Sequence, residues 1–273
     1  MHAFATKHGG VFKSDRLAFV AEVKWKGKGY GILARFSYSN DYHIVIQNML
    51  DSIIVQLNSI GIKGKGSVDV SKVDEKYAAY LSGIGYFGKN SILIHKKYGS
   101  YMFLATILID QEIKEDNMLF DDCGTCDLCI KACPTNALDH GFIRDQCISN
   151  LSQSKKEFSI DEIKQFKTVI YGCDICIKVC PRNKGIDTHK YSLFEPNEIE
   201  NVELSSLLEM NNKAFDAHFG NNASHWIGAA QMKRNALCLI ANQKLVDLIP
   251  QIRESMSEYR DNLWYSGTAS KVL

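Results

Sequence analysis

Eight of the nine cysteines in this 273-residue chain fall into two runs with the spacing of metal-cluster ligands. The first is Cys123, Cys126, Cys129 and Cys133, closed by Pro134. The second is Cys173, Cys176 and Cys180, closed by Pro181, with Cys147 upstream in place of a leading cysteine. A C-x2-C-x2-C-x3-C-P run is the spacing of bacterial two-cluster iron–sulfur proteins, in which the fourth cysteine serves the other cluster. One short loop reaches only three corners of a cubane, so the fourth ligand, starting the next helix, faces the neighbouring cluster. Cys123, Cys126, Cys129 and Cys180 are therefore assigned to one 4Fe–4S cluster, and Cys133, Cys147, Cys173 and Cys176 to a second. Pro134 and Pro181 suit first helical turns, where a missing N–H costs nothing. Adjacent cubanes pass single electrons, so redox chemistry is expected.

Two zinc sites of four cysteines each would also use eight thiolates, and C-x2-C pairs occur in zinc ribbons. The triple run with its C-P ending is not ribbon spacing. Disulfides fit less well, because no signal peptide precedes the chain and the cysteines are bunched. Cys238 sits in the apolar run from Ala236 to Ile240 and is expected to be a buried core thiol.

A hydrophobic content of 45% and a formal charge of +1 suit a globular protein of one to three domains. No apolar stretch reaches membrane-spanning length. Oxygen-sensitive clusters and free thiols point to the cytoplasm. Near-neutral charge argues against a nucleic-acid-coated protein but leaves room for a local basic patch. Lys24, Lys26 and Lys28 form one candidate and Lys63 with Lys65 another, although such runs are more often solvated surface.

The elements that must position these cysteines read as an α+β chain in three parts. Residues 1–118 are expected to be an α/β domain, 119–185 a two-cluster ferredoxin-type domain, and 186–273 a helical domain. Strands are expected over 17–23 and 30–36, with a helix capped by Asp41 over 41–60. A second helix spans 73–82 and ends at Gly83. Strands over 91–94 and 101–109 are expected to pair around the turn at Lys97, Tyr98 and Gly99. The connector 161–170 reads as helical, as do 204–210, 213–219, 228–241 and 245–259. Successive amphipathic helices with short turns suggest the start of a helical-repeat stack.

Beyond the cysteines, Ser67-Val68-Asp69 leads into Gly83-Ile84-Gly85-Tyr86-Phe87-Gly88-Lys89-Asn90, then Leu93, His95 and Tyr98-Gly99-Ser100. This stretch resembles the cobalamin-binding domain of the epoxyqueuosine reductase family, with its V-D-S/T-x-P-V-x-E-K/R and A-G-x-G-W-x-G-K-N-x-L-L-I-H patterns. Asp41-Tyr42-His43, Cys147-Ile148-Ser149, Tyr171-Gly172-Cys173 and Gly228 with Lys233-Arg234-Asn235 match further family motifs in the same order. The likeness covers roughly residues 35–242. Lys72 stands where the family has proline, Val70 where it has Ser or Thr, and Tyr86 where it has Trp. Residues 1–30 match poorly, so the resemblance implies a short or N-terminally truncated member with a corrinoid-binding α/β domain and a C-terminal HEAT-like segment.

The resemblance implies reductive deoxygenation of epoxyqueuosine to queuosine in tRNA, by a corrinoid that two 4Fe–4S clusters reduce. It places the family's proton-donating aspartate on Asp69, which from its neighbours alone reads as a turn or cap residue. It makes Asn90, Leu93 and Leu104 candidates for corrinoid (cobalamin) contact, joined from the cluster domain by Ser149, Ser152 and Asp174. Asp174 could equally orient its own cysteine loop. Lys233 and Arg234 become candidates for phosphate contacts on the anticodon arm of tRNA, with a solvated helix face and an internal brace as their respective alternatives. An external donor such as a flavodoxin or ferredoxin is expected, with no membrane partner and a monomeric chain. Glycines 83, 85 and 88 follow a helix rather than a strand, which fails the dinucleotide context; they read as a tight path letting a large planar ligand approach. Asp187-Thr188-His189 has the D-x-H of corrinoid methyltransferases but lacks their glycine. A corrinoid reductase of another small substrate and a two-cluster electron carrier stand as the other function classes, and corrinoid binding separates the carrier from both enzymes.

Overall fold

Two aspartates start the helices that frame the first third of the chain. Asp41 accepts the N–H of His43, and Asp74 accepts that of Tyr77, each satisfying a donor that an N-terminus leaves free. The structure, a computed structural model, describes residues 3–6, 9–12, 23–70, 72–113, 117–186 and 194–273. In chain order the elements are β1 (Ala3–Thr6), β2 (Gly9–Phe12), β3 (Tyr30–Leu33), α1 (Tyr42–Ser59), β4 (Gly64–Ser67), α2 (Glu75–Leu81), β5 (Tyr86–Phe87), β6 (Leu93–Ile94) and β7 (Thr106–Ile109). Then follow α3 (Leu128–Ala132), α4 (Ile148–Gln153), α5 (Ile160–Gln165), β8 (Val169–Tyr171), α6 (Ile175–Lys178) and β9 (Asn201–Glu203). The chain ends in α7 (Leu204–Glu209), α8 (Asn212–Phe219), α9 (Gly228–Gln243), α10 (Ile249–Glu258) and α11 (Leu263–Val272).

One three-stranded sheet ties the three expected parts together. β3 lies in the middle, parallel to β8 and antiparallel to β9. Each strand comes from a different part, so the parts do not fold as three separate cores. A single apolar cluster runs from Ile32 and Leu33 through Phe158 and Ile170 to Leu237 and Tyr265. Helix α9 packs against β8 and α11. Gly31 allows that approach, since a Cβ there would lie 2.8 Å from the Leu239 side chain.

The helices expected over 204–210, 213–219 and 228–241 are present. Three expectations are corrected. The 91–94 and 101–109 strands do not pair with each other: β6 pairs with β5, and β7 pairs with β4. The turn between them is real, closed by reciprocal bonds between His95 and Gly99. The connector is helical only over α5 and then becomes β8. The 245–259 helix starts later, after a short turn before Pro250, and is followed by α11, which the sequence pattern does not announce. The strand over 17–23, apart from Val23, and the Asp187-Thr188-His189 motif lie outside the described residues.

Lys233 and Arg234 are also placed differently from the RNA contacts expected of them. Both are fully buried on α9. Lys233 Nζ reaches Glu258 Oε2 at 2.9 Å and lies over the Tyr259 ring. The Arg234 guanidinium donates to the carbonyls of Ser154 at 2.7 Å, Lys156 at 2.8 Å and Leu151 at 3.2 Å, and covers the Phe158 ring at 3.8 Å. Burial pulls it down to about 10. Arg234 is thus the internal brace, and neither cation presents a surface to phosphate. Cys238 is buried as expected, and burial pushes its thiol up to about 12.

Truncating Arg234 to alanine leaves three carbonyls facing an apolar hole. Lost charge-assisted bonds and stranded acceptors should together cost about 3 kcal/mol or more. The check is the urea unfolding midpoint of anaerobic protein, which should fall clearly in Arg234→Ala. An unchanged midpoint would refute the brace.

Candidate functional site

The eight clustered cysteines are all free thiols and partly buried. Helices α3 and α6, each inside one cysteine run, pack against each other. Burial raises the Cys180 thiol, which also feels Cys123 and Cys126. Burial raises Cys129, which feels Cys123 and Cys180. Burial likewise pushes Cys173 up to about 12, and after Asp174 its charged neighbours are Cys147 and Cys133. These neighbours bring the two cysteine runs side by side, with Cys180 near Cys123 and Cys126, and Cys173 near Cys147 and Cys133. They meet where Cys176 feels Cys129. Among the described residues no three His, Cys, Asp or Glu side chains gather tightly enough for one metal ion. A four-cysteine zinc site would draw its sulfurs to about 2.3 Å from a single ion, whereas a cubane spreads its ligands around four irons.

Beside the second group lies a cavity of about 500 Å³. Asp174 and Ile177, from the second cysteine run, form part of its wall. Ile92, Met102, Phe103 and Leu104 form an apolar side, and Asp69, Tyr42 and Glu75 face it from the first third of the chain. Asp174 is 6% exposed, and its Oδ2 accepts the N–H of Arg35, so it both lines the cavity and anchors its loop. The Arg35 guanidinium covers the Tyr101 ring at 4.1 Å.

Asp69 stands on a left-handed turn, φ +58°, just after β4. A non-glycine residue there stores strain that its surroundings must hold. Its N–H donates to Glu75 Oε1 at 3.0 Å, and its Oδ2 accepts from the Tyr42 hydroxyl. Burial, then the Asp69 bond, raises Tyr42 far above the ordinary phenol range, so this hydroxyl keeps its proton. The His43 ring stacks on Tyr42 at 4.1 Å. Its Nδ1 lies 2.7 Å from Asp41 Oδ1 and its Nε2 3.4 Å from Asp69 Oδ2. Burial pushes the Glu75 carboxyl up to about 7.

Of the expected corrinoid contacts, Leu104 and Asp174 line the cavity. Asn90 is buried beside Ile92; its Oδ1 accepts the Ile92 N–H, and its Nδ2 has no hydrogen-bond partner among the described residues. Leu93 instead packs into a small core with Ala79 and Ile84. Ser152 is fully buried; its Oγ donates to the Ser149 carbonyl and accepts the Gly172 N–H, which makes it a support for the second cysteine loop. Ser149 is half-buried and bonded to Gln153. The glycines of 83–88 do not open a path for a ligand. A Cβ at Gly83 would strike Asn117 O at 2.1 Å, at Gly85 Ile94 O at 2.4 Å, and at Gly88 Asn90 Oδ1 at 2.7 Å. They let the chain approach itself. Tyr42, His43 and Glu75 join the site without having been expected there, although Asp41-Tyr42-His43 was the signal for two of them.

Residues 122–183 match the family of 4Fe-4S double cluster binding domains, which supports two iron–sulfur clusters. An epoxyqueuosine reductase of Lactococcus garvieae is 34% identical over 229 residues, 82% of this chain and 65% of that protein. One of Bacillus subtilis is 37% identical over 232 residues, 83% of this chain and 60% of the relative. This chain thus spans about three fifths to two thirds of these curated relatives. Among solved structures, epoxyqueuosine reductase from Bacillus subtilis, with its catalytic aspartate loop swung out of the active site, superposes with a TM-score of 0.86 at 31% identity. That match covers 93% of this chain and 70% of the other. An epoxyqueuosine reductase with an epoxyqueuosine-modified tRNA stem loop gives 0.81 at 32% identity, over 90% of this chain and 66% of that one.

The Glu75 shift has a consequence for stability. Its folded pKa, about 7, lies above the ordinary 4.5, so the native state holds a proton that the unfolded chain has released between those values. Stability should therefore fall as pH rises from about 4.5 to about 7 and level off above. Urea midpoints from about pH 5 to about pH 8 test this. Glu75→Gln should flatten that part of the curve, and an equally steep fall in the variant would contradict the assignment.

Proposed function

For a chain that belongs to the epoxyqueuosine reductase family, we propose reductive deoxygenation of epoxyqueuosine in tRNA, carried out in the cytoplasm where tRNA is processed. The observation that carries this reading is that one cavity takes its wall from both the Asp69 turn and the second cysteine loop. Proton source and electron source thus open onto the same space. The thiols of Cys123, Cys126, Cys129 and Cys180 hold one 4Fe–4S cluster, and those of Cys133, Cys147, Cys173 and Cys176 hold the other. Electrons come from an external donor such as a flavodoxin or ferredoxin.

The residues around the cavity fit a corrinoid, which has apolar faces and an amide-bearing rim. Ile92, Met102 and Leu104 offer an apolar wall. The buried Oγ of Ser100, in the cavity wall, has no hydrogen-bond partner among the described residues, and with the Asp174 carboxylate it provides polar groups for the rim. Held there by these residues, a reduced corrinoid would supply the electron pair for C–O cleavage. Asp69 protonates the oxygen that leaves. Tyr42 fixes the carboxyl by its hydroxyl, and Glu75 fixes the main chain that carries it. Phe103, stacked on Tyr42 at 4.5 Å, keeps water from that side. The tRNA substrate is proposed on the relative's stem-loop complex and on no contact from Lys233 or Arg234.

The test incubates anaerobic protein, carrying about eight irons per chain, with cobalamin, a strong reductant and epoxyqueuosine-containing tRNA. Nucleoside mass spectrometry should show loss of one oxygen. Asp69→Asn should keep its iron but turn over about 10²–10⁴-fold more slowly. Wild-type turnover in that variant would leave Asp69 a turn residue only. Bound cobalamin with no change in the tRNA would point to another substrate.

A further inference from the structure

Deoxygenating an epoxide to an alkene consumes two electrons and two protons and releases water, yet Asp69 carries one carboxyl. We propose that His43 is the proton store that reloads Asp69 within each turnover, an inference that rests on the function proposed above. The ring is clamped between two carboxylates, with Nδ1 on Asp41 and Nε2 towards Asp69. In the charged ring both nitrogens donate. Asp69 gives its proton to the first oxygen anion. The Nε2 proton of His43 then passes to the Asp69 carboxylate, leaving a neutral ring whose remaining Nδ1–H is held by Asp41. Asp69 gives this second proton to the departing hydroxide, which leaves as water. Both electrons arrive from the external donor through the clusters, so the imidazole changes only its protonation.

The surroundings favour His43 over the other titratable groups that face Asp69. Tyr42 retains its proton. Glu75 contacts the Asp69 main-chain N–H through Oε1 and is 9% exposed, with little access to solvent for reloading. The His43 side chain is 36% exposed. Asp41, its other partner, lines a second pocket with Asn40, Asn48, Ser52 and Asn221. Solvent reaches the half-exposed ring itself, which links Asp41 to Asp69. An imidazole also suits the task because it can carry one proton on each of two opposed nitrogens and give one up while keeping the other.

The test pairs a kinetic with a spectroscopic readout on the cluster-loaded full chain. His43→Gln should keep its iron content, lose about 10²–10⁴-fold in turnover, and regain part of it when imidazole is added. Wild-type turnover should fall as pH rises through the imidazole range, and the variant should lack that limb. A His43→Gln protein with the wild-type rate and pH profile overturns the proposal and assigns the second proton to Glu75. An inactive variant that imidazole does not rescue overturns it as well, leaving His43 a structural clamp. Ring NMR of His43 reports without turnover: Asp41→Asn and Asp69→Asn should each change the ring-nitrogen chemical shifts, because each removes the partner of one nitrogen. If the wild type leaves epoxyqueuosine-tRNA unchanged, the function reading fails, but this coupling still decides the contact. Ring-nitrogen shifts that neither substitution moves overturn it.

Discussion

The second cysteine loop is pressed against the backbone after β3 so closely that no side chain fits between them. Gly172 has φ +71°, and a Cβ there would lie 2.4 Å from the Ala34 Cβ and 2.9 Å from the Phe36 ring. Around this contact the Ala34 N–H donates to the Tyr171 carbonyl at 2.8 Å, and the Arg35 N–H to the Asp174 carboxylate. Ser152 closes the other side by accepting the Gly172 N–H at 3.0 Å. Any residue but glycine at 172 would meet both the steric clash and the cost of a left-handed backbone. The position of one four-cysteine group relative to the rest of the molecule follows from this join.

The same join sets the proton side. Phe36 packs edge-on to Tyr42 at 6.2 Å and against Tyr171 at 5.6 Å. The start of α1, with Asp41, Tyr42 and His43, is therefore placed by the strand that also seats the cysteine loop. Asp69 comes from elsewhere, on a strained turn after β4, and reaches this group through side-chain bonds. Gly66, earlier on the strand path, lets α1 lie close: a Cβ there would meet Leu50 Cβ at 2.8 Å. Strain at Asp69 is of order ~1 kcal/mol, small enough for the Tyr42 and Glu75 bonds to hold.

What could be read from sequence was local. Cysteine spacing encodes loop reach, and residues 122–183 match a 4Fe-4S double cluster binding domain as that spacing led one to expect. Asp41 and Asp74 carry capping chemistry in their own side chains. Strand partnership is not local: Gly64–Ser67 has no strand pattern, yet it pairs with β7 and packs on α1. The 91–109 hairpin fails because a real turn says nothing about which strands its arms will join. Lys233 and Arg234 mislead because a cation on a helix is ordinarily solvated. The warning lay in their neighbours, Met232, Ala236, Leu237 and Leu239, which make α9 apolar on nearly every face. His43 was visible within a matching motif, but its meaning depends on two carboxylates that only the fold brings to opposite sides of its ring.

In the proposed function, a corrinoid held in the cavity between Asp69 and Asp174 would join the electron path to the proton path. Electron paramagnetic resonance of anaerobic protein, reduced and mixed with an equimolar amount of cobalamin, tests this most directly. The expected result is a cobalt(II) signal that relaxes faster when the neighbouring cluster is reduced, because the two spins are close. Asp174→Leu, which keeps a side chain of similar size but removes the polar anchor, should weaken that coupling. A cobalt signal with the saturation behaviour of free cobalamin, in protein carrying both clusters, would contradict the shared cavity.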